Sequence, residues 1–482
     1  MEQFDILIVG AGLSGIGAAW HLNRDCPGES YAILEAREAI GGTWDLFRYP
    51  GIRSDSDMYT LGYDFRPWKE QKAIADGPSI LRYVRDTARE GDIERRIRFR
   101  HKVISADFDS ETALWTVTAH TPEGERQYRA RLLLMAAGYY SYDEPHNPPL
   151  LGEERFKGPI FHPQHWPQGL DTAGKRIVVI GSGATAVTIV PVLAETAAHV
   201  TMLQRTPTWM ISRPAEDKVA NFLRHVLPDT WAYGLVRWRN TLMQRLLYDL
   251  SRTQPEKANK RITEGLLKEL PPETVNAHFQ PDYNVWDQRL CLVPDSDFFA
   301  ALRAGRAEVV TDRIAEVDET GVRLESGRRL ETDIIVKATG LRLQSMGGAA
   351  LSVDGARQTV PERFIYRGLM VEGIPNLVYV FGYFNASWTL RADLTARWFC
   401  KLVQEMDRRH AEIAVPRRTG DIRQEARIFS SGYVQRAESV LPRQGAEDPW
   451  RDTQNYYEDR KTLRNGPEDD GFLQFERAKV VA

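Results

Sequence analysis

The sequence predicts an α/β protein in which two parallel-sheet units share one chain and a helical segment interrupts the second unit. Three observations support this prediction. A short apolar strand, a glycine turn and an apolar helix follow one another near the amino terminus, and the same order recurs in mid-chain. Between about Trp209 and Trp286, leucine, arginine and tryptophan recur at helical spacing instead, and we expect the aromatic residues of this segment to belong to the core and not to a substrate wall. The chain has 482 residues, which is enough for two or three compact domains.

The first glycine turn is Gly10-Ala11-Gly12-Leu13-Ser14-Gly15. The apolar run at residues 4–9 predicts a buried parallel strand before this turn, and residues 16–22 predict a helix after it. Residues 31–34 then predict a second strand, which ends on Glu35. The order of strand, glycine turn, helix, strand and acid is typical of a Rossmann-like dinucleotide-binding unit.

Each glycine of this turn has its own physical task. Gly10 permits the tight turn, Gly12 lets the backbone approach a pyrophosphate, and Gly15 lets the helix pack closely on the strand. The pyrophosphate then lies at the positive end of the helix. The carboxylate of Glu35 is placed to accept hydrogen bonds from a ribose.

A second copy of the pattern begins with a predicted strand at residues 176–180. The turn Gly181-Ser182-Gly183-Ala184-Thr185-Ala186 follows, then a predicted helix to Leu193 and a strand at residues 200–203. This strand ends in Gln204-Arg205-Thr206 and not in an acid. Arginine suits a 2′-phosphate because its guanidinium binds a phosphate with two parallel hydrogen bonds. The second site is therefore predicted to prefer NADPH to NADH.

Two dinucleotide sites in one chain indicate that one nucleotide carries a hydride and the other receives it. The amino-terminal site is the usual place for FAD, so we predict two Rossmann-like domains, for FAD and NADP, with a helical insertion in the NADP domain. Apolar runs at 132–138, 333–340 and 375–382 predict further strands, the last of which returns the chain to the first domain. The predicted boundaries are 1–145 and 371–482 for the FAD domain, 146–210 and 288–370 for the NADP domain, and 211–287 for the insertion.

Composition excludes several classes of protein. The net charge of -3 gives no electrostatic reason to expect nucleic acid or anionic lipid as a partner. The start of the chain lacks a basic segment, and no apolar run approaches the roughly 20 residues that span a bilayer, so we expect a cytoplasmic enzyme without stable membrane insertion. Cys26, Cys291 and Cys400 are far apart in sequence, which argues against a disulfide framework, a thiol-redox flavoprotein or a metal site. We expect them to be packing residues.

Two further patterns identify a family. The first, Phe156-x-Gly158-x-x-x-His162-x-x-x-Trp166-Pro167, precedes the second glycine turn. The second runs from Gly41-Gly42-x-Trp44 through Tyr49-Pro50-Gly51 to Asp55. Both resemble signatures of the type I Baeyer–Villiger monooxygenases, and the resemblance extends from about residue 4 to residue 450. Residues 41–60 and 284–292 look most similar to the ethionamide-activating branch.

The resemblance implies an activity. NADPH reduces the flavin, and the reduced flavin forms with O2 a peroxyflavin that converts ketones to esters or lactones and thioethers to sulfoxides. It assigns catalytic roles to Arg289 and Asp55. Arginine suits this task because it keeps its proton and so remains a fixed cation, and a neighbouring carboxylate holds it in place. His162 and Trp166 are expected to lie at a hinge that couples NADP binding to domain movement.

The resemblance also implies cofactor contacts, beyond the glycines of both turns. Those expected for FAD are Ser14, Glu35, Thr43, Trp44, Asp45, Arg53, Asp55 and Val103; those expected for NADP are Ser182, Gly183, Ala184, Thr185, Ala186, Arg205 and Thr206. One position departs from the family, because many relatives carry lysine where this chain has Gln288. Arg205 is therefore left as the main charged determinant of NADPH preference.

The sequence also permits purely structural interpretations of single residues. Asp55 follows Arg53-Ser54 in a polar loop, where aspartate is often a turn former or a helix cap. Arg289 could be a surface charge, and Arg205 a solvated charge at a strand end. The alternative functions are a flavin-containing N- or S-monooxygenase without ketone activity and a reductase-like flavoprotein. The absence of a C-x-x-C pair argues against the reductase.

Overall fold

A computed structural model of the chain describes residues 1–426 and 432–478, and it has the expected α/β architecture. In this part of the chain, nine strands form one mixed sheet. In sheet order they are Ala356–Arg357, Ala350–Val353, Lys102–Asp109, Leu114–Thr121, Gly124–Met135, Glu2–Val9, Tyr31–Glu35 and Ile97–Phe99, with Leu377–Tyr379 paired to Gly124–Met135. The predicted strands at residues 4–9 and 31–34 are confirmed, each with slightly wider bounds.

The central strand Glu2–Val9 separates two hydrophobic cores. Ile6 and Ile8 contribute to one core, whereas Leu7 and Val9 contribute to the other. Successive side chains of a strand point to opposite faces, so a strand covered on both faces must be apolar at every position. This requirement explains why residues 6–9 show no polar alternation, whereas Asp5 lies at the less buried start of the strand and accepts hydrogen bonds from Ser30.

A second sheet consists of five parallel strands among the described residues. Their order is Ala307–Thr311, His199–Gln204, Arg176–Ile180, Ile334–Lys337 and Ile160–Phe161. The predicted strand at residues 176–180 and the predicted helix end at Leu193 agree with the observed bounds. A three-stranded antiparallel sheet accompanies the second sheet and comprises Ile314–Val317, Gly321–Leu324 and Arg329–Glu331.

The chain returns to the first sheet earlier than expected. Leu377–Tyr379 pairs in parallel with Gly124–Met135, as the run at residues 375–382 predicts. However, Ala350–Val353 already pairs with Lys102–Asp109, although we placed residues 288–370 in the second domain. The boundary at 370 is therefore wrong. Residues 350–353 belong to the first sheet because they pair with a strand that is distant in sequence, and a local pattern does not encode such pairing.

Helices cover both sheets and form the insertion. The helices of four or more residues are Leu13–Asp25, Thr43–Leu46, Met58–Leu61, Gly77–Glu90, Ala184–Leu193, Lys218–Val226, Asp229–Thr253, Pro255–Glu269, Pro272–His278, Asp297–Arg303, Trp388–Arg409, Gly432–Ala437 and Tyr456–Leu463. No helix of the described residues is both long and apolar enough to cross a bilayer. The three cysteines are buried and unbridged, as expected of packing residues.

The insertion leaves and rejoins the second domain through one parallel strand pair, Met210–Arg213 with Cys291–Pro294. Four helices lie between these strands, which agrees with the predicted helical segment. We expected the aromatic residues of this segment to belong to the core. Tyr233 does so, at 2% exposure, but Trp231 and Trp238 are 74% and 55% exposed, so for these two residues the expectation is wrong. Both belong to the side of the helix that faces away from the protein.

The first glycine of each turn lies directly under the end of a neighbouring strand. Gly10 has φ +106°, and a Cβ atom there would lie 2.7 Å from the carbonyl oxygen of Ala136. Gly181 has φ +128°, and a Cβ atom there would overlap the carbonyl oxygen of Ala338. Both the backbone conformation and the lack of space therefore require glycine. The same construction occurs in both domains.

Two chain segments connect the domains, and they run side by side. The amide of Ser141 donates to the carbonyl of Arg342, and the amide of His146 donates to that of Gly340. The signature before the second glycine turn holds both segments. His162 Nε2 donates to the Gly340 carbonyl at 3.0 Å, and Gln164 Nε2 donates to the Ser141 carbonyl at 2.9 Å. The signature therefore contacts both connecting segments, and its role at a hinge stays a prediction.

His162 is neutral in this arrangement. Its Nδ1 atom accepts a hydrogen bond of 3.1 Å from the amide of Gln164, while Nε2 carries the proton. Burial lowers the pKa of His162 to about 4. Protonation would place a second N–H opposite the Gln164 amide. The hydrogen bonds by which His162 and Gln164 hold the two connecting segments therefore depend on the neutral ring.

The contrast between Gly181 and Gly183 provides a matched test of the glycine turn. Gly181→Ala should lower the free energy of unfolding by about 1–3 kcal/mol, because of the positive φ and the overlap with Ala338. Gly183 has an extended backbone, and a Cβ atom there would have no described atom within 4 Å, so Gly183→Ala should change that free energy by less than about 0.5 kcal/mol. Urea denaturation of both variants measures the difference. Equal effects would refute the steric explanation.

The neutral ring of His162 makes a pH-dependent contribution to stability. Because the pKa is about 4 in the folded state and near 6.5 when unfolded, this contribution is complete above pH 6.5 and is lost as the pH falls towards 4. His162→Gln keeps a donor but does not titrate. The difference in free energy of unfolding between wild type and this variant should therefore shrink between pH 6.5 and 4, as urea denaturation at each pH would report. A difference that stays constant would contradict the assignment.

Candidate active site

The amino-terminal glycine turn precedes the helix Leu13–Asp25. Gly12 is the residue before the first helical turn, and no side chain of the described residues caps that end. Gly12 faces Gly42 closely, since a Cβ atom at Gly12 would lie 3.5 Å from the Gly42 Cα atom. A Cβ atom at Gly15 would overlap the Gly10 carbonyl, which explains the third glycine. Ser14 is buried, and its hydroxyl accepts a 2.8 Å hydrogen bond from the indole of Trp388.

Glu35 ends the strand Tyr31–Glu35 beside this turn. One carboxylate oxygen accepts a hydrogen bond of 2.6 Å from the Ala11 amide, and the other accepts one of 2.8 Å from the Arg37 amide. Burial raises the pKa of this carboxyl, and the two amide donors act in the opposite direction. Each oxygen has a second lone pair, so the carboxylate is able to accept from ribose hydroxyls as well.

Charged side chains from several segments lie near Glu35, among them Asp45 and Arg37. Asp45 is buried at 4% exposure and forms ion pairs with Arg37 at 2.6 Å and Arg85 at 3.1 Å. These arginines were not predicted from the sequence, although the position of Arg37, two residues after Glu35, was a usable signal. Of the remaining predicted FAD contacts, Thr43 hydrogen-bonds with the Tyr140 hydroxyl, Trp44 is partly buried, and Val103 is buried in the strand Lys102–Asp109.

The second glycine turn is more open than the first. Gly183 precedes the helix Ala184–Leu193, it is exposed, and no described side chain caps this helix start either. The Ser182 hydroxyl lies 2.7 Å from that of Thr208, the Thr185 side chain hydrogen-bonds with Tyr49, and Ala186 is buried. Arg205 and Thr206 are exposed just beyond the strand His199–Gln204.

Both turns fit the cofactors that the sequence predicts. In each, a helix of ten or more residues begins with amide groups that lack a side-chain cap, which is the arrangement that binds a pyrophosphate. The first turn has a buried carboxylate at the following strand end and the second has an exposed arginine there. FAD at the first turn and NADP at the second therefore match the donors and acceptors present.

The two sites are joined by a segment of the first domain that packs on the second. Tyr49 and Ile52 belong to the core around the second sheet. A Cβ atom at Gly51 would lie 2.6 Å from a methyl group of Val192 and 3.1 Å from the Thr188 carbonyl. Gly51, at φ +74°, thus lies against the helix that carries the second glycine turn. This close approach explains the glycine in the Tyr49-Pro50-Gly51 signature.

Asp55 and Arg289 form an ion pair, 234 positions apart in sequence. Their Oδ2 and Nη2 atoms are 2.6 Å apart, and their side chains are 26% and 40% exposed. The helix cap in this loop is Asp57, which accepts from the amides of Tyr59 and Thr60, so the cap interpretation of Asp55 is wrong. Arg53 does not join the pair, because its guanidinium is bound to Asp297.

Backbone hydrogen bonds fix the two loops that carry the pair. The amide of Ser54 donates to the carbonyl of Ala75, and the amide of Met58 donates to that of Ala73. On the other loop, Trp286 has φ +70° and packs edge-on against Tyr248 of the helix Asp229–Thr253, with ring centroids 5.9 Å apart. Contacts other than the Asp55–Arg289 ion pair therefore fix the conformation of both loops.

A cavity of about 1200 Å³ opens beside the pair and is lined by both Asp55 and Arg289. The insertion contributes much of its wall, and the chain before the helix Trp388–Arg409 closes another side. Apolar side chains such as Met210, Leu247 and Phe384 make up much of the lining. These residues were not predicted from the sequence, because they come from segments that only the folding of the insertion brings together.

Comparison with known proteins gives one consistent family. Residues 63–346 match the family model described as flavin-binding monooxygenase-like, and residues 8–69 match that of an NAD(P)-binding Rossmann-like domain. The FAD-containing monooxygenase EthA of Mycobacterium tuberculosis is 51% identical over 478 residues, which cover 98% of this chain and 98% of EthA.

Two solved structures share the fold. An oxidised steroid monooxygenase bound to NADP has a TM-score of 0.79 at 24% identity, covering 98% of this chain and 100% of the other. Cyclohexanone monooxygenase with bound ε-caprolactone has a TM-score of 0.73 at 22% identity, covering 86% and 90%. Together with the relatives, these matches confirm the family resemblance and the fold class. The chain belongs to the flavin-binding monooxygenase-like family and is a flavoprotein monooxygenase.

Proposed function

We propose that the enzyme is a Baeyer–Villiger-type monooxygenase that uses NADPH and O2 to convert ketones to esters or lactones, and thioethers to sulfoxides. The observation that supports this most is the Arg289–Asp55 ion pair in the wall of the large cavity. Oxygen insertion into a ketone develops negative charge on oxygen, and a fixed cation stabilises that charge. Oxidation of an amine or a sulfide does not require such a cation.

The two glycine turns provide the cofactor sites. We assign FAD to the turn at Gly10 to Gly15 with Glu35, and NADP to the turn at Gly181 to Ala186 with Arg205. When bound, the cofactors supply the reducing equivalents and the activation of O2. Arg205 and Thr206, exposed beyond the second strand, would hold the 2′-phosphate.

Arg289 acts as a permanent cation. A guanidinium keeps its proton throughout the pH range in which enzymes work, so it stabilises charge without taking part in proton transfer. Its partly enclosed position matters, because the attraction between a cation and a developing oxyanion is stronger where water is displaced. The carbonyl oxygen of a bound ketone is the atom on which this charge develops.

Asp55 positions the guanidinium. A carboxylate 2.6 Å from Nη2 restricts the rotamers of a long side chain, and its own loop is fixed by backbone bonds to residues 73–77. Because the carboxylate also offsets part of the positive charge, it lowers the free-energy cost of partly burying the arginine in the absence of substrate.

The apolar lining of the cavity defines what the site accepts. Side chains such as Met210, Leu247 and Phe384 exclude water from around the reacting atoms, which protects an activated oxygen species from hydrolysis. They also favour an apolar ketone or thioether over a charged substrate. At about 1200 Å³ the cavity is large enough for a drug-sized molecule.

The role of Arg289 is tested by Arg289→Ala. Ester formation from a panel of simple ketones should fall by about 100-fold or more, because the developing oxyanion loses its cation. FAD should stay bound and NADPH should still be consumed, with O2 recovered as hydrogen peroxide. Mass spectrometry of the products, combined with a peroxide assay, measures both effects. Sulfoxidation should be less affected than ester formation.

A matched control is Arg261→Ala, which removes an exposed arginine from the lining of the same cavity. Its ester formation should stay within about twofold of wild type, since general charge in the cavity is not the requirement. Wild-type ester formation by Arg289→Ala would refute the proposed role. Wild-type enzyme that oxidises amines or sulfides but yields no ester from any ketone would instead favour the N- or S-oxygenase.

The role of Arg205 is tested by Arg205→Ala. The kcat/KM for NADPH should fall by about 10–100-fold, because a bidentate contact to the 2′-phosphate is lost, while kcat/KM for NADH should hardly change. Arg306→Ala, an exposed arginine before the neighbouring strand Ala307–Thr311, should leave both values unchanged. Steady-state kinetics with both nicotinamides measures the ratio. Equal values for the two nicotinamides in the wild type would overturn the assignment.

A further inference from the structure

The helical insertion has an apolar surface on the side opposite the protein core. Among the described residues, eleven large apolar side chains are exposed, and nine of these lie between Val219 and Leu267. Single exposed apolar residues are normal on soluble proteins, whereas a cluster on neighbouring helices marks a surface that contacts something else. The remaining two, Met1 and Leu151, lie elsewhere in the sequence.

Most of this surface belongs to the helix Asp229–Thr253. Trp231, Leu235, Trp238 and Leu246 are 74%, 46%, 55% and 53% exposed. At 100° per residue these four side chains fall within about 80° of one side of the helix, and they extend over roughly 22 Å of its length. We term this row the apolar stripe. Such a continuous stripe is typical of a helix that lies along an apolar boundary.

The preceding helix, Lys218–Val226, adds to the same kind of surface. Val219, Phe222 and Val226 are 54%, 64% and 57% exposed, and its single fully buried residue is Ala220. Asp217 caps this helix and is also bound to Arg239, which ties the two helices together. The two helices therefore present their apolar residues as parts of one connected element.

The charge of this region is opposite to that of the whole chain. The chain carries a net charge of -3, but residues 217–268 contain ten lysine or arginine residues and five acidic ones. The exposed members of this basic set are Lys218, Arg252, Lys257, Lys260, Arg261 and Lys268. A surface that combines exposed tryptophan with an excess of basic residues is complementary to an anionic lipid headgroup layer.

The cavity beside Arg289 reaches this surface. Val219 and Met243 line the cavity, and they are also 54% and 49% exposed. Lys218 lines the cavity as well. One edge of the cavity therefore lies where the apolar surface begins, next to the apolar stripe.

We propose that the helices Lys218–Val226 and Asp229–Thr253 rest in the surface of an anionic lipid bilayer, and that apolar substrates pass from it into the cavity past Val219 and Met243. Tryptophan is enriched at the boundary between headgroups and acyl chains, where its ring is apolar and its N–H finds a partner. The helices lie on the membrane and do not cross it. The passage of substrate rests on the proposed function, whereas bilayer binding does not.

A second copy of the chain fits this surface less well. Most dimers are isologous, so each apolar stripe would face its symmetry mate. The helices Lys218–Val226 and Asp229–Thr253 together hold six lysine or arginine residues and two acidic ones, so two copies would also bring like charges together, which opposes association. An anionic bilayer satisfies the apolar residues and the basic residues at the same time.

The test is flotation of the FAD-bound holoenzyme with vesicles, performed without NADPH or substrate. Wild type should float with vesicles of equal parts phosphatidylcholine and phosphatidylglycerol, and less with phosphatidylcholine alone or at high salt. The variant W231S/W238S should lose about tenfold or more of this binding, since two exposed indoles no longer enter the boundary. Leu151→Ser, which removes another highly exposed apolar side chain away from the insertion, should bind as wild type does.

Four further readouts, namely circular dichroism, flavin absorbance, light scattering and ketone oxidation, separate the possible outcomes. Circular dichroism and flavin absorbance confirm that W231S/W238S is folded. Wild type that fails to float, or W231S/W238S that floats as well as wild type, would overturn the proposal. A wild-type dimer that W231S/W238S converts to a monomer in light scattering, without vesicle binding by either, would assign the surface to a second copy. Vesicle binding without oxidation of any ketone would refute the proposed function alone.

Discussion

The close contact between each glycine turn and the end of a neighbouring strand is the constraint on which both proposed cofactor sites depend. At Gly10 and Gly181 the carbonyl group of a strand end occupies the space that a side chain would need. Because the backbone also has a positive φ there, glycine alone satisfies both demands without strain. The turn can then direct the uncapped start of the following helix towards a pyrophosphate. The two domains differ in sequence but share this contact between a glycine turn and a strand end.

The helix Asp229–Thr253 links three properties of the enzyme. Its buried Arg237 donates to the carbonyls of Tyr59 and Gly62, and Asn240 donates to Asp57, so the helix holds the loop that follows Asp55. Another side of the helix lines the cavity, and a third carries the exposed tryptophans. A cationic side chain buried against carbonyl oxygens is costly to disturb, which keeps this helix fixed relative to the loop that follows Asp55.

Much of the fold could be predicted from the sequence because its signals are local. Strand and helix periodicity predicted the bounds at residues 176–180 and at Leu193, and the glycine spacing located both turns. The errors concern long-range contacts. The pairing of Ala350–Val353 with the first sheet and the exposure of Trp231 both depend on which distant surface is available, and an apolar residue has the same local pattern whether it is covered or not.

The sequence by itself determined the two dinucleotide-binding units, their order, and through family resemblance the identities of Asp55 and Arg289. The two units follow from short-range steric rules, since a turn of given spacing permits few backbone arrangements. Asp55 and Arg289 follow from the resemblance alone. Only the tertiary structure decided that Asp55 and Arg289 meet at 2.6 Å, that Asp57 and not Asp55 caps the nearby helix, and that His162 and Gln164 clamp both connecting segments. Each of these contacts joins residues whose separation is set by the packing of whole domains and of the insertion, which no local pattern specifies.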